Sequence, residues 1–306
     1  MRIAIVGAGA MGCLLASYLS PAHDVWLIDN WQAQVDTITA HGLTRERDGV
    51  RHHSTPHATT EADAAFPSQV AIVMVKYHQT AWAATQVAQL LATDGICVTL
   101  QNGIGGIDIL SHHLGADRTT QGVTSLGGTL LEPGQVRHAG MGDTVFAQDI
   151  TSPYLGAVVD AFNAVGLPAH FSSSIDSLIW GKLIVNVGIN ALTGILRVTN
   201  GVLAEHTGAR NMLMACVHEA VQVASAQGIT LPYADPVAHV LQVATATAQN
   251  RSSTLQDVLR GSPSEISTIN GAVVRSGERL GITTPYNRML WELMQVIDSS
   301  AEYRVR

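Results

Sequence analysis

Charge and cysteine are scarce in this chain. Of its 306 residues only 13% are charged, the formal net charge is −7, and no run of Lys or Arg occurs. A nucleic-acid binder needs a concentrated basic face, so that partner is excluded. Cys13, Cys97 and Cys216 are the three cysteines and lie far apart. Such spacing builds neither a disulfide framework nor a zinc site, and it fits a reducing cytoplasm. The 13 histidines include His52-His53 and His112-His113 but no HExxH pattern. They read as scattered surface residues, and no metal site is expected. Apolar segments are short or broken by Gly, Asn, Lys and Asp, and none reaches the roughly 18 uninterrupted residues of a membrane span. The opening MRIAIVGAGAMG alternates like a strand and meets its glycines too early for a signal peptide, so it is read as part of the fold.

What is present is apolar material, 46% of the chain. That is enough for a large core, and with typical domains of about 100–200 residues two domains are expected. In the first half short apolar runs alternate with helical patterns. The strands are RIAIV (2–6), DVWLID (24–29), VAIVMV (70–75) and GICVTL (95–100); helical patterns cover 13–20, 79–92 and 154–164. This alternation predicts an α/β fold with a parallel, doubly wound sheet. RTTQGVTSL, GQVRHAG and GDTVFAQ would extend that sheet to about residue 146. GLPAHFSSSID (166–176) holds Gly, Pro and three serines, and marks the place where the domains meet. The division expected is 1–168 for the sheet domain and 169–306 for a helical one. The latter has helices over 175–196, 203–228, 234–249, 253–260, 263–280 and 285–300, the first capped by Ser173 or Ser174.

GAGAMG, residues Gly7, Ala8, Gly9, Ala10, Met11 and Gly12, is a GxGxxG turn between strand and helix. The first glycine permits the tight turn, the second lets a pyrophosphate approach, and the third allows close helix packing. The phosphates would sit on the helix's positive end. The pattern alone also describes an ordinary glycine turn. Asp29, however, ends the second strand 22 residues after Gly7, the spacing of the acid that binds ribose hydroxyls in a dinucleotide site. A carboxylate there repels a 2′-phosphate, and the nearest basic residue downstream is Arg45, so NAD is favoured over NADP. Lys76 and Asn102 follow two strands and would face the ligand crevice. A solvated lysine and an Asn-Gly turn are the plainer alternatives.

In WGKLIVNVGIN (180–190), Lys182, Asn186 and Asn190 recur every fourth residue. Each step of four rotates a helix by only roughly 40°, so they form one polar strip on an apolar helix. A solvated face would also recruit Glu or Arg, and residues 177–196 contain no acid. A cavity completed by a polar ligand explains the strip better. Hydride attack on a carbonyl leaves an oxygen that a positioned ammonium protonates or stabilises.

WGKLIVNVGINALTGIL, TNG (199–201), SSTLQD (252–257) and SEISTING (264–271) resemble the ketopantoate reductase family over essentially the whole chain. The resemblance implies a Rossmann domain, an all-helical C-terminal domain, and an active site between them. It implies that Lys182 is the general acid and Glu265 the catalytic glutamate. It further implies that Ser253 holds the substrate carboxylate, that Asn186, Asn190 and Asn200 line the pocket, and that Asn102 and Lys76 contact cofactor and substrate. From the residues alone Glu265 is equally an exposed helix acid. LIDNW departs from the basic residue that NADP-dependent members carry near the end of the second strand. It looks more like the NAD-dependent D-2-hydroxyacid (D-mandelate-type) dehydrogenases of the family. The expectation is therefore reduction of a branched or bulky 2-oxo acid, with ketopantoate reduction as the alternative. A silent nucleotide sensor would have no use for the polar strip, and a sugar-phosphate substrate would want clustered arginines. A homodimer is also expected.

Overall fold

Short, continuously apolar strands can hide both faces only inside a sheet covered on both sides. The computed structural model describes residues 1–303, which form two compact units. Unit 1 comprises residues 1–101 and 106–175, and unit 2 comprises 102–105 and 176 onward. In chain order the strands are β1 (Arg2–Val6), β2 (Asp24–Ile28), β3 (Leu43–Arg47), β4 (Val50–Ser54), β5 (His57–Thr59) and β6 (Ser68–Val73), followed by β7 (Leu91–Thr99), β8 (Thr119–Thr124), β9 (Gly127–Glu132), β10 (Gln135–Gly140), β11 (Thr144–Ala147) and β12 (Ala169–Ser172). Eight form one sheet in the order β12-β11-β8-β7-β6-β1-β2-β5, parallel throughout except between β11 and β8. The chain order reverses between β1 and β6, which makes that junction the switch point of a doubly wound fold. Helices α1 (Ala10–Leu19), α2 (Gln32–His41), α3 (Thr80–Leu90), α4 (Gly106–Leu114) and α5 (Pro153–Ala164) accompany the strands.

Two features of unit 1 were not expected. β3, β4, β9 and β10 form a separate four-stranded sheet, so GQVRHAG does not extend the main one. The cause is local turn chemistry. Asp48 (φ 52°) and Gly49 (φ 78°) make a two-residue hairpin between β3 and β4, and Gly134 (φ 73°) turns β9 into β10. The second is β12, which lies inside the stretch read as a link and pairs parallel with β11. Three apolar side chains of β11 and α5 lock this end of the sheet; Phe146 meets Phe162 edge to face, centroids 5.4 Å apart, and Leu155 is buried beside them.

Unit 2 holds seven helices among its described residues: α6 (Ile175–Leu196, starting on the last residue of unit 1), α7 (Val202–Glu205), α8 (Thr207–Ala226), α9 (Pro236–Ala246), α10 (Ser253–Arg260), α11 (Asn270–Leu280) and α12 (Pro285–Ser299). The two long patterns expected at 203–228 and 263–280 are each broken, the second by a tight turn at Ile266–Thr268. α6 is long and apolar enough to cross a membrane by length and composition, but 67% of its apolar window is buried inside the protein. Trp180, Leu183, Ile184 and Val187 place it in the core with Val217 and Val240. Glu219 of α8 holds the start of α12. Its buried carboxylate accepts from the backbone N–H groups of Tyr286 and Asn287 (2.9 Å each) and from Asn287 Nδ2 (2.8 Å). A helix start needs such acceptors for its unpaired amides.

Phe162→Ala would open a cavity against Phe146 and should lower the stability of unit 1 by about 3–5 kcal/mol. The urea midpoint of its unfolding transition reads this out; a loss below about 1 kcal/mol would show that the ring pair is not a structural lock.

Candidate active site

In unit 1 the chain leaves β1 through a turn that only glycine fits. Gly7 has φ +112°, and a Cβ there would lie 2.8 Å from the Val75 nitrogen. A Cβ on Gly12 would lie 1.8 Å from Gly7 O, so helix and strand touch through that position. At Gly9 an added Cβ meets nothing within 4 Å, which leaves the backbone open to a ligand. α1 begins at this turn with no side-chain cap and no acid in its first turn. Its first amides therefore point their partial positive charge, uncompensated by a side chain, at whatever lies before Ala10. Ala8 N–H donates to Asp29 Oδ2 (2.6 Å), and Trp31 N–H to Asp29 Oδ1 (2.9 Å). Asp29 is thus fixed at the end of β2, facing the turn, with lone pairs left for hydroxyl donors. These residues, with Ala10 and Met11 opening the helix, fit a dinucleotide.

Lys76 lies three residues beyond β6, at the same end of the sheet, and is partly buried. Arg45, the nearest cation after Asp29 in sequence, is elsewhere. It is 8% exposed, stacked 3.5 Å over the Tyr18 ring, with Nη1 toward Ser17 O at the far end of α1. With 1.5 Å per residue, that end is roughly 13 Å from the glycine turn. Cys13, on the first turns of α1, donates to Ala8 O, and burial pushes its thiol up to about 12. It is packing, not a nucleophile.

In unit 2 the polar strip of α6 meets two partners from distant sequence. Lys182 Nζ donates to Asn102 Oδ1 (2.8 Å), and Asn102 Nδ2 donates to Glu265 Oε2 (3.1 Å). Asn102 therefore bridges ammonium and carboxylate with one amide. Burial drives the Lys182 amine down from its ordinary 10.5 to about 8, against the opposing pull of the Glu265 charge. Farther along the helix Asn190 Nδ2 reaches Ser253 Oγ at 3.4 Å, with Asn186 between the two contacts. Ser253 is exposed on the first turn of α10, beside the capping Ser252, whose hydroxyl shares a 2.7 Å bond with Thr193 of α6. Asn200 stands apart from the lysine. Its amide donates to Thr247 Oγ1 (2.9 Å) and its backbone N–H to Asn250 O (3.1 Å), at the end of α9.

The position of Asn102 has a cause that the sequence reading missed. Gly103 has φ +84°, and a Cβ there would lie 2.5 Å from Thr268 O and 2.5 Å from Thr268 Cβ. Ile104 N–H donates to Thr268 O (3.3 Å), and Thr268 in turn bonds Glu265 O through its own N–H (3.0 Å) and hydroxyl (2.9 Å). The Asn-Gly turn and the amide bridge are thus one device, in which the turn carries the Asn102 side chain between Lys182 and Glu265. A second signal was in the composition: the chain has two lysines, Lys76 and Lys182, and both lie at expected site positions.

The model of "Ketopantoate reductase PanE/ApbA" matches residues 3–149, and that of its C-terminal part matches 174–298. A 2-dehydropantoate 2-reductase of Halobacterium salinarum is 33% identical over 97% of this chain and 98% of its own. One from Archaeoglobus fulgidus is also 33% identical, with the same shares. The crystal structure of a PanE/ApbA family ketopantoate reductase from Ralstonia eutropha JMP134 has a TM-score of 0.91 at 32% identity, covering 99% of this chain and all of that one. D-mandelate dehydrogenase with NADH and anilino(oxo)acetate has a TM-score of 0.90 at 29% identity, covering 99% of each chain.

Gly103→Ala should displace Asn102 and lower turnover by at least about tenfold, since misplacement of a site group by an ångström costs on the order of 10². Undiminished turnover would show that the close approach to Thr268 does not set the bridge.

Proposed function

Because the chain belongs to the ketopantoate reductase family, whose members are NAD(P)-dependent oxidoreductases, we propose that it reduces a 2-oxo acid to the (R)-2-hydroxy acid, with Lys182 as proton donor. The observation that carries this is the Lys182–Asn102–Glu265 chain. A general acid works best with a pKa near the working pH. Desolvation supplies that for Lys182 by bringing its amine to about 8, while Glu265 keeps the fall from going further. Asn102, its Oδ1 taken by the ammonium, aims the Nζ proton. The Gly7–Gly12 turn and Asp29 would hold the pyrophosphate and adenosine ribose of a dinucleotide, whose reduced nicotinamide would supply the hydride to the carbonyl carbon. The proton on Lys182 Nζ passes to the carbonyl oxygen as charge develops there, which leaves a neutral amine and a hydroxyl. Ser253 and Asn190, already within 3.4 Å of one another, would hold the substrate carboxylate, and Asn186 and Asn200 would line the pocket.

The relatives' names put 2-dehydropantoate first among substrates, ahead of the bulkier 2-oxo acids expected from LIDNW. Asp29 supports the second reading, an NAD-dependent D-2-hydroxyacid dehydrogenase, as does the likeness to D-mandelate dehydrogenase with NADH. On either reading NADH is the cofactor proposed, because Asp29 is fixed as a hydroxyl acceptor and Arg45 is turned away. A cytoplasmic setting is part of the proposal, supported by three free, buried cysteines. So is a homodimer, supported by the exposed row Tyr286, Met289, Leu293 and Val296 on α12.

Steady-state assays crossing NADH and NADPH with 2-dehydropantoate, 2-oxoisocaproate and phenylpyruvate should give the highest kcat/KM for 2-dehydropantoate with NADH. Phenylpyruvate in first place would favour the second reading, and a wide margin for NADPH would overturn the argument from Asp29. Lys182→Ala should lower turnover about 10²–10⁴-fold. Reduction needs the protonated amine, so kcat/KM should be level below about pH 8 and fall above it. Glu265→Gln removes the charge that raises the Lys182 pKa, so this alkaline limb should move to lower pH; a limb that stays in place would refute the coupling.

A further inference from the structure

Of the five tryptophans in the chain, Trp180 is buried and Trp26, Trp82 and Trp291 are partly buried. Trp26 stacks on His57 at 4.4 Å, and Trp291 Nε1 donates to Ser267 Oγ. Trp31 alone of the five is exposed, with 43% of its surface open. A single exposed aromatic is unremarkable in itself. Its placement is not. Trp31 stands two residues beyond Asp29 and just before α2, and its backbone is held on both sides. The N–H donates to Asp29 Oδ1 (2.9 Å), while the carbonyl accepts from Gln34 N (3.0 Å) and Val35 N (3.1 Å). The carboxylate that would read the adenosine ribose therefore also anchors this residue.

We propose that Trp31 is the adenine platform of the cofactor site, its indole face stacking on the base whose ribose Asp29 binds. This rests on the dinucleotide reading of the Gly7–Gly12 turn. The chemistry is general. Every nucleobase has a π face, and an indole on a fixed backbone offers a large flat apolar surface with little side-chain freedom to lose. Stacking needs no hydrogen-bond code, so an open lip beside the ribose acid is sufficient. It also complements the absence of a reader for a 2′-phosphate at this point: the adenosine end would be gripped by a ring and a carboxylate, neither of which favours an extra dianion.

The test compares the full-length protein with Trp31→Ala and Trp31→Phe by calorimetric titration with NADH and with 5′-AMP, and by tryptophan emission during the AMP titration. Trp31→Ala should weaken both ligands about tenfold, within the roughly 5–150-fold that base–aromatic stacking represents. Trp31→Phe, which keeps a ring, should stay within about threefold of the parent. AMP should quench emission of the parent and of neither variant. NADH and AMP bound by Trp31→Ala within about twofold of the parent would overturn the platform and leave the dinucleotide site standing. A parent chain that binds neither ligand would overturn the dinucleotide reading on which it rests.

Discussion

An ammonium held among apolar side chains is the constraint on which unit 2 is organised. Lys182 lies on a helix whose Leu183, Ile184 and Val187 are buried in the core, and its amine is desolvated. Leaving such a charge without partners would be prohibitive. The structure answers with one amide and one carboxylate, and the balance between desolvation and the Glu265 charge leaves the amine at about 8 rather than 10.5. A surface lysine would be protonated at every physiological pH and a poor donor. A fully unpaired buried one would be neutral. The bridge through Asn102 sets the amine between those limits.

Much of the surrounding architecture serves that bridge. Asn102 reaches Glu265 because Gly103 lets the chain press against Thr268, and Thr268 is tied to the backbone of Glu265. Glu219 pins the start of α12, and Asn270 and Asn287, joined at 2.9 Å, link α11 to it directly after the turn that carries Glu265. In unit 1 the corresponding economy is at α1, whose start has no side-chain cap and follows a glycine turn tied to Asp29 through the Ala8 N–H.

The doubly wound sheet was legible because its strands are apolar on both faces and alternate with helices, and the glycine turn because its spacing to Asp29 is a chain-local property. The strip on α6 was legible from helical periodicity alone. The small sheet was not read, although Asp48-Gly49 between two extended runs is a strong hairpin signal. There the polar, exposed β4 hid the pattern. Glu265, Ser253 and Asn200 could be named only through the family resemblance, since nothing in local sequence says which distant acid meets Lys182. Asn200 is held by Thr247 and Asn250, partners at the end of a distant helix that local sequence does not name. The lysine count was the overlooked clue, because a chain that uses arginine for 15 of its 17 basic residues has kept lysine for two places.

That scarcity also provides the most direct test. With two lysines, a protein labelled with ¹³C at Cε gives two side-chain resonances, and Lys182→Arg identifies one of them. The account requires the Lys182 signal of the unliganded protein to titrate near pH 8. A Lys182 signal titrating at its ordinary 10.5 would contradict it.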